Sequence, residues 1–204
     1  MRAVYALLAT ALITLAASPA LASSAPVGPD RVMGRPEAPV LVEEFASLTC
    51  SSCGRFANEV FPAFKTRYID TGKVRFLLRP VLTQPQNVAA AGFLLARCAG
   101  PEGYYDVIKA FFRRQKEMFE TGDARTALLE AAAEGGISGA AASACLADAA
   151  GRAALDADLE TAVSRGVEST PTFYFNGVKV KAGEMTLQEI DAAYAAALKA
   201  RPKR

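Results

Sequence analysis

The chain has 204 residues, with 23 lysines and arginines against 21 aspartates and glutamates, a net charge of +2, and no histidine. This length suits one domain, or one domain with an insertion, and the charge gives no reason to expect nucleic acid or an anionic membrane as a partner. The lack of histidine excludes Ser-His-Asp and Cys-His catalytic sets and limits any metal site to cysteine and carboxylate ligands. We expect neither a metal nor a cofactor.

Residues 1–22 are predicted to be a secretory signal peptide. Arg2 provides a short positive region, residues 3–17 are apolar, and Ala20-Leu21-Ala22 forms an A-x-A cleavage site. An uncleaved membrane anchor is the alternative, although the apolar stretch is short and rich in alanine. No other stretch is long and apolar enough to span a membrane, so we expect no stable membrane insertion after cleavage. The protein is expected in an oxidising, extracytoplasmic compartment, where disulfides persist.

A polar lead-in over residues 23–37 precedes the first predicted strand, residues 38–45. Apolar side chains on both faces of this segment predict a central strand that is covered on both sides. Glu44 lies on this strand, where a buried carboxylate would need a partner or a proton. The pattern is equally compatible with an exposed acid at the strand end, so both alternatives stay open.

Cys50 and Cys53 form a C-x-x-C pair, with Ser51 and Ser52 between them, where the strand gives way to a predicted helix over residues 51–69. Cys50 would lie at or just before the first helical turn, whose unpaired N–H groups and dipole stabilise an anion, so its thiolate becomes the reactive form at neutral pH. Cys53, one turn later, lies on the same side and can form a disulfide with it. Because C-x-x-C alone is a weak signal, a structural disulfide or half of a zinc site remains the alternative to redox chemistry.

The remaining pattern places short strands at both ends of the chain and helices between them, which indicates an α/β fold with one sheet. A strand over residues 74–78 completes a strand–helix–strand unit, whose two strands should be parallel. Asn176-Gly177 predicts a hairpin between strands at 172–175 and 178–180. A capping box, Thr186 with Glu189, begins the last helix, residues 186–199. The helices in between are predicted over residues 86–98, 102–117, 123–134, 138–149 and 151–165.

Three features together resemble the DsbA-like branch of the thioredoxin superfamily: Glu44 before the cysteines, the C-x-x-C pair at a helix start, and Thr170-Pro171 ahead of a strand. Members of this branch are bacterial periplasmic thiol-disulfide oxidoreductases. The resemblance implies a thioredoxin-like fold, formed by residues 38–84 and 167–204, with an all-helical insertion over residues 85–166. It also implies a periplasmic location.

The resemblance implies a role for individual residues. Cys50 matches the exposed nucleophile that forms mixed disulfides, and Cys53 matches the buried resolving cysteine. Pro171 matches the cis-proline that faces this pair, with an ordinary trans-proline at a strand start as the alternative. Thr170 matches the residue whose backbone pairs with an extended substrate chain. Glu44 matches the buried acid that helps to move the proton of the inner thiol.

Other residues near the pair are expected to affect client binding and redox poise. Leu48, Thr49 and Val167 would contribute an apolar surface for unfolded clients. Strongly oxidising members usually carry Pro-His between the cysteines, whereas this chain has Ser51-Ser52. Without that histidine the reduced form is less stabilised, so we expect a weaker oxidant than the strongest members.

The other two cysteines, Cys98 and Cys145, both lie in the predicted helical insertion. Four cysteines allow three pairings, and these two remain if the C-x-x-C cysteines pair with each other. A structural disulfide is the preferred interpretation, and some relatives of the family also hold their insertion with one. Two free buried thiols are the alternative. A Cys₄ zinc site is disfavoured because the chain has only one C-x-x-C motif.

The sequence thus leads to the hypothesis of an extracytoplasmic oxidoreductase that forms disulfides in exported proteins. Its partners would be unfolded or partly folded exported proteins with thiols and, by resemblance, a quinone-linked DsbB-like membrane protein that reoxidises it. A thiol reductase or isomerase of the same fold is the first alternative. A non-enzymatic binding module with two structural disulfides is the second.

Overall fold

The structure is a computed structural model that describes residues 31–200. The predicted signal peptide, the first part of the lead-in and the basic residues 201–204 lie outside the described residues. Within residues 31–200, none of the helices is long and apolar enough to cross a membrane.

A mixed four-stranded sheet forms the centre of the fold, with strand order β2-β1-β3-β4. Strand β1 (Val40–Ala46) pairs in parallel with β2 (Val74–Pro80) and antiparallel with β3 (Thr172–Phe175), which forms a hairpin with β4 (Val178–Ala182). The predicted parallel pair and hairpin are therefore confirmed. The turn residues Asn176 and Gly177 have φ of 48° and 81°, the left-handed region that a two-residue hairpin turn requires.

The predicted helix over residues 51–69 is one continuous helical segment with two changes of hydrogen-bond pattern. It consists of α1 (Ser51–Arg55), a π-helical turn (Phe56–Val60), α2 (Phe61–Phe64) and a second π-helical turn (Lys65–Ile69). Its aromatic side chains lie on the sheet: Phe56 contacts Phe173 with ring centroids 4.8 Å apart, and Phe61 contacts Phe76 at 4.9 Å.

All-helical structure separates β2 from β3, as the sequence predicts. The helices are α3 (Gln86–Cys98), α4 (Gly100–Thr121), α5 (Ala124–Glu134), α6 (Gly139–Ala147) and α7 (Ala149–Ser164). The boundary between the last two of these helices lies at Asp148, two residues before the predicted one, because Asp148 ends α6 and caps α7 by accepting hydrogen bonds from the N–H groups of Ala150 and Gly151. Gly151 therefore lies inside the first turn of α7.

The last helix, α8 (Leu187–Lys199), begins with the predicted capping box. The Glu189 N–H donates to Thr186 Oγ1 at 3.2 Å, and the Thr186 N–H donates to Glu189 Oε2 at 2.8 Å.

Both faces of the sheet are covered, which confirms the prediction of a central strand. The first helical segment and α8 cover one face. On the other face, Phe45 of β1 and Tyr174 of β3 form an edge-to-face pair that packs with Ala162 of α7. Glu43 is buried on this second face and accepts a hydrogen bond from Arg79 at 2.6 Å. Neighbouring residues of β1 thus project into two different packed layers.

A disulfide joins Cys98, at the end of α3, to Cys145 of α6, with their Cα atoms 5.8 Å apart. The bond links two helices of the insertion across a sequence separation of 47 residues. In the chain-entropy view, a crosslink of this length restricts the unfolded chain and so stabilises the folded one.

We expect the double substitution Cys98→Ala/Cys145→Ala to lower the free energy of unfolding by up to about 4 kcal/mol, because the 47-residue loop is released. Urea denaturation followed by circular dichroism measures the change. Ser143→Ala, an exposed site on α6, is the control and should change stability little. Equal stability of the double variant and the wild type would contradict a stabilising role.

Candidate functional site

Cys50 is the last residue before α1 and has an extended backbone, with φ −87° and ψ 117°. Its N–H donates to the Ser47 carbonyl at 3.1 Å, and its own carbonyl accepts from the Gly54 N–H at 3.1 Å. Cys50 is partly exposed, whereas Cys53, one helical turn later, is fully buried. Both are free thiols, so the helix start holds one accessible and one inaccessible sulfur.

The surroundings of Cys50 lower the pKa of its thiol to about 5. The main cause is a hydrogen bond from the Cys53 thiol, and it outweighs partial burial, which acts in the opposite direction. A hydrogen bond from the Thr170 side chain and the backbone N–H groups of Cys53 and Ser52 contribute further. Donors that converge on a sulfur at a helix start favour the thiolate, which is the nucleophilic form.

Cys53 is affected in the opposite direction. Burial is the first cause that raises the pKa of its thiol, and its hydrogen bond to Cys50 and the nearby Glu44 add to it. Cys53 therefore keeps its proton and serves as the donor to the Cys50 thiolate. One helical turn thus separates two thiols of opposite acidity.

Glu44 is buried, with 2% of its surface exposed, which decides between the two alternatives that the sequence left open. Burial, and then the charge of the Cys50 thiolate, raises the pKa of this carboxyl to about 8. Its Oε1 has no hydrogen-bond partner, and Glu44 is one of the residues that line a cavity of about 20 Å³, with Tyr105 and Lys109 among the others. A space of this size can hold about one water molecule.

Thr170 and Pro171 lie beside the reactive sulfur. The peptide bond between them is cis, as the resemblance implies. Cys50 Sγ lies 3.3 Å from the Thr170 carbonyl oxygen, to which it donates a hydrogen bond when the thiol is protonated. Thr172 Oγ1 donates to the Ser169 carbonyl at 2.7 Å and so fixes the chain on either side of the proline.

The expectation that Leu48 and Thr49 contribute an exposed apolar surface is wrong, because both residues are buried. The connection from β1 to α1 turns inward beneath the insertion: Leu48 contacts α3 at Gly92, where any larger side chain would collide with it. Thr49 Oγ1 donates to the Thr83 carbonyl at 2.8 Å instead of facing solvent. Val167 is partly exposed and packs beside Phe45 and Tyr174, so its contact with clients stays a prediction.

The two serines of the motif differ in their contacts. Ser51 is exposed, while Ser52 Oγ accepts a hydrogen bond from Arg55 at 2.9 Å, and Arg55 also pairs with Glu184. Within residues 31–200, no cluster of three or more cysteine, aspartate or glutamate side chains is arranged to hold a metal ion.

Gln115 of α4 belongs to the site but was missed by the sequence analysis. Only 5% of its surface is exposed, and its Nε2 donates to the Leu48 carbonyl at 2.7 Å and to the Cys50 carbonyl at 3.0 Å. A signal was present in the sequence, since Gln115 occupies an apolar stripe at helical spacing with Ile108, Phe111 and Met118. A buried amide in such a stripe requires polar partners.

A family model described as Thioredoxin matches residues 27–194. The chain belongs to the thioredoxin superfamily. A Rickettsia conorii protein, provisionally named a protein-disulfide oxidoreductase, is 30% identical over 171 residues. The alignment covers 83% of this chain and 60% of that protein, so the chain spans less than two thirds of the length of this relative.

Solved structures of DsbA-like proteins share the fold. The crystal structure of α-DsbA1 from Wolbachia pipientis superposes with a TM-score of 0.73 and 29% sequence identity, covering 85% of this chain and 95% of that one. The structure of oxidised BdbD from Bacillus subtilis superposes with a TM-score of 0.68 and 22% sequence identity. The alignment covers 83% of this chain and 93% of the BdbD chain. The likeness supports a thioredoxin-like fold with a helical insertion in this DsbA-like chain.

We expect Glu44→Gln to stabilise the reduced protein more at pH 8 than at pH 5. The folded state raises the pKa of this carboxyl from its ordinary value of 4.5 to about 8, so the folded protein holds a proton that the unfolded chain releases. The resulting stabilisation is complete below about pH 4.5 and is lost as the pH rises to about 8. The glutamine side chain of the variant does not ionise, so the variant does not lose this stabilisation as the pH rises.

Urea denaturation at several pH values between 5 and 8 measures the effect. The difference in unfolding free energy between variant and wild type should grow with pH by an amount on the order of a few kcal/mol. The trend should persist in the oxidised protein, because burial is the larger cause of the shift. A difference that does not change with pH would mean that Glu44 ionises normally in the folded state.

Proposed function

We propose that the protein is an extracytoplasmic thiol-disulfide oxidoreductase that forms disulfide bonds in exported proteins. The observation that carries this proposal is the opposite acidity of Cys50 and Cys53: the accessible thiol is acidic and the buried thiol is not. A structural disulfide needs no such difference, whereas an exchange reaction needs one accessible sulfur and one protected sulfur.

The reaction begins with the Cys50–Cys53 disulfide and a client thiolate. The client sulfur attacks Cys50 Sγ, the bond between the two cysteines breaks, and Cys53 leaves with the electron pair. A second client thiolate then attacks the client sulfur of the mixed disulfide and releases Cys50 as a thiolate. Two electrons pass to the protein, and the client gains one disulfide.

Glu44 is proposed to supply a proton to Cys53 in the first step. Its pKa of about 8 keeps it protonated at neutral pH, and it lies close enough to Cys53 for its ionisation to affect the acidity of that thiol. A buried leaving thiolate would otherwise remain as an unpaired charge in an apolar interior, which is costly. The cavity beside Glu44 gives space for one water, through which the carboxyl can regain its proton.

The client is proposed to bind as an extended chain along Thr170 and Pro171, beside the Cys50 sulfur. The Thr170 carbonyl lies 3.3 Å from that sulfur and can accept a backbone N–H from a client. Recognition through backbone groups suits unfolded or partly folded exported proteins, which differ in sequence. Val167 would add an apolar contact at the edge of this surface.

The direction of electron flow follows from the stability of the reduced form. A pKa of about 5 means that Cys50 is a stabilised thiolate at neutral pH, which favours reduction of the protein and oxidation of the client. We propose a periplasmic location, which rests on the predicted signal peptide, and a quinone-linked DsbB-like membrane partner for reoxidation. The absence of a histidine between the cysteines keeps a thiol reductase or isomerase as the second candidate.

Equilibration with glutathione redox buffers tests the proposal. The wild type should exchange with glutathione at a potential above that of thioredoxin, about −270 mV, because its reduced form is stabilised. Thiol alkylation and mass spectrometry measure the oxidised fraction. Cys50→Ser should abolish exchange, whereas Cys98→Ala/Cys145→Ala should retain it.

Two outcomes would contradict the proposal in different ways. A potential at or below about −270 mV would indicate a reductase. A Cys50–Cys53 disulfide that excess dithiothreitol leaves intact would indicate a binding module with two structural disulfides.

A further inference from the structure

The helical insertion places one side chain directly on the backbone of the reactive cysteine. Gln115 of α4 donates from Nε2 to the Leu48 carbonyl at 2.7 Å and to the Cys50 carbonyl at 3.0 Å. The Cys50 carbonyl also accepts from the Gly54 N–H at 3.1 Å. Gln115 therefore fixes peptide groups on both sides of Thr49, at the point where the chain enters α1.

Gly54 leaves the space that the Gln115 amide occupies. A methyl group at Gly54 would clash with Gln115 Oε1, at much less than the van der Waals contact distance, and would lie 3.0 Å from Gln115 Cδ. Gly54 has an ordinary helical backbone, so the glycine is not needed for an unusual φ. Alanine would favour a helix more than glycine does, and the contact with Gln115 is therefore the reason for glycine here.

We propose that Gln115 is a positioning residue that sets the acidity of Cys50, and that Gly54 makes room for it. The amide does not touch either sulfur. It holds the Cys50 peptide in the orientation that directs Sγ toward the Cys53 thiol and the N–H groups of Ser52 and Cys53. The inference rests on the proposed function and assigns part of the control of that site to the insertion.

A second amide, at the contact between α4 and the first helical segment, provides a comparison with Gln115. Asn58 of the first π-helical turn donates from Nδ2 to the Phe112 carbonyl of α4 at 3.0 Å. This bond joins the first helical segment to α4, whereas the Gln115 bonds join α4 to the residues just before that segment, and it does not involve the Cys50 peptide. Loss of Asn58 should weaken the contact between the helices without changing the donors around the Cys50 sulfur.

The first test compares Gln115→Leu with Asn58→Ala. The rate of Cys50 alkylation by iodoacetamide, measured against pH in the reduced protein, gives the thiol pKa. Gln115→Leu should raise this pKa by about one unit and make the protein about tenfold less oxidising toward glutathione, the scale of one hydrogen bond. Asn58→Ala should lower the melting temperature and leave the pKa unchanged.

The second test uses Gly54→Ala, which displaces the Gln115 amide while favouring the helix, and so remains informative even if Gln115→Leu fails to fold. Gly54→Ala should raise the Cys50 pKa as Gln115→Leu does. In the double variant Gly54→Ala/Gln115→Ala the two changes should not add, because the amide that the methyl group displaces is already absent.

An unchanged Cys50 pKa in both Gln115→Leu and Gly54→Ala would overturn the inference, as would an equal pKa shift in Asn58→Ala. These results would leave the proposed function intact as long as the wild type exchanges with glutathione. A wild type that does not exchange at all would instead refute the proposed function.

Discussion

The hydrogen bond from the Cys53 thiol to the Cys50 sulfur is the interaction on which the site depends. It is the largest cause of the low pKa of Cys50, and it exists because burial keeps Cys53 protonated. The same burial would prevent Cys53 from ionising alone, so the reaction needs a proton donor when Cys53 leaves. We propose that Glu44, which is buried and protonated at neutral pH, meets that need. The acidity of one sulfur and the protection of the other are thus two results of a single arrangement.

The fold produces this arrangement from parts that are distant in sequence. Strand β1 brings Glu44 beneath the helix start, and the turn after β1 places Cys50 where backbone N–H groups point at its sulfur. Pro171 and the residues before it approach from the far end of the chain, and Thr170 adds donors and acceptors beside Cys50. The insertion contributes Gln115, and its disulfide joins α3 to α6. The insertion therefore reaches the site as well as extending the thioredoxin-like core.

Local signals were sufficient to predict the elements and the motif. The capping box at Thr186, the Asn176-Gly177 turn and the helix start at Cys50 depend on neighbouring residues, and the structure has all of them. Contacts between distant segments were not predictable in the same way. Leu48 is buried because Gly92 of α3 makes room for it, and a one-sequence pattern does not show that pairing. Glu44 had two compatible environments, and only the packing of both sheet faces distinguishes them. Gln115 is a polar residue in an apolar stripe. This pattern indicates that its amide needs polar partners, but it does not show which groups they are.

The most direct test of the account is a titration of both active-site thiols in the reduced protein. Nuclear magnetic resonance of cysteine labelled with ¹³C at Cβ follows each sulfur separately, with assignments from single Cys→Ser variants. The account predicts that Cys50 titrates with a midpoint near pH 5 and that Cys53 shows no titration of its own thiol at neutral pH. A Cys50 midpoint at the ordinary value of about 9, or similar midpoints for the two thiols, would contradict it.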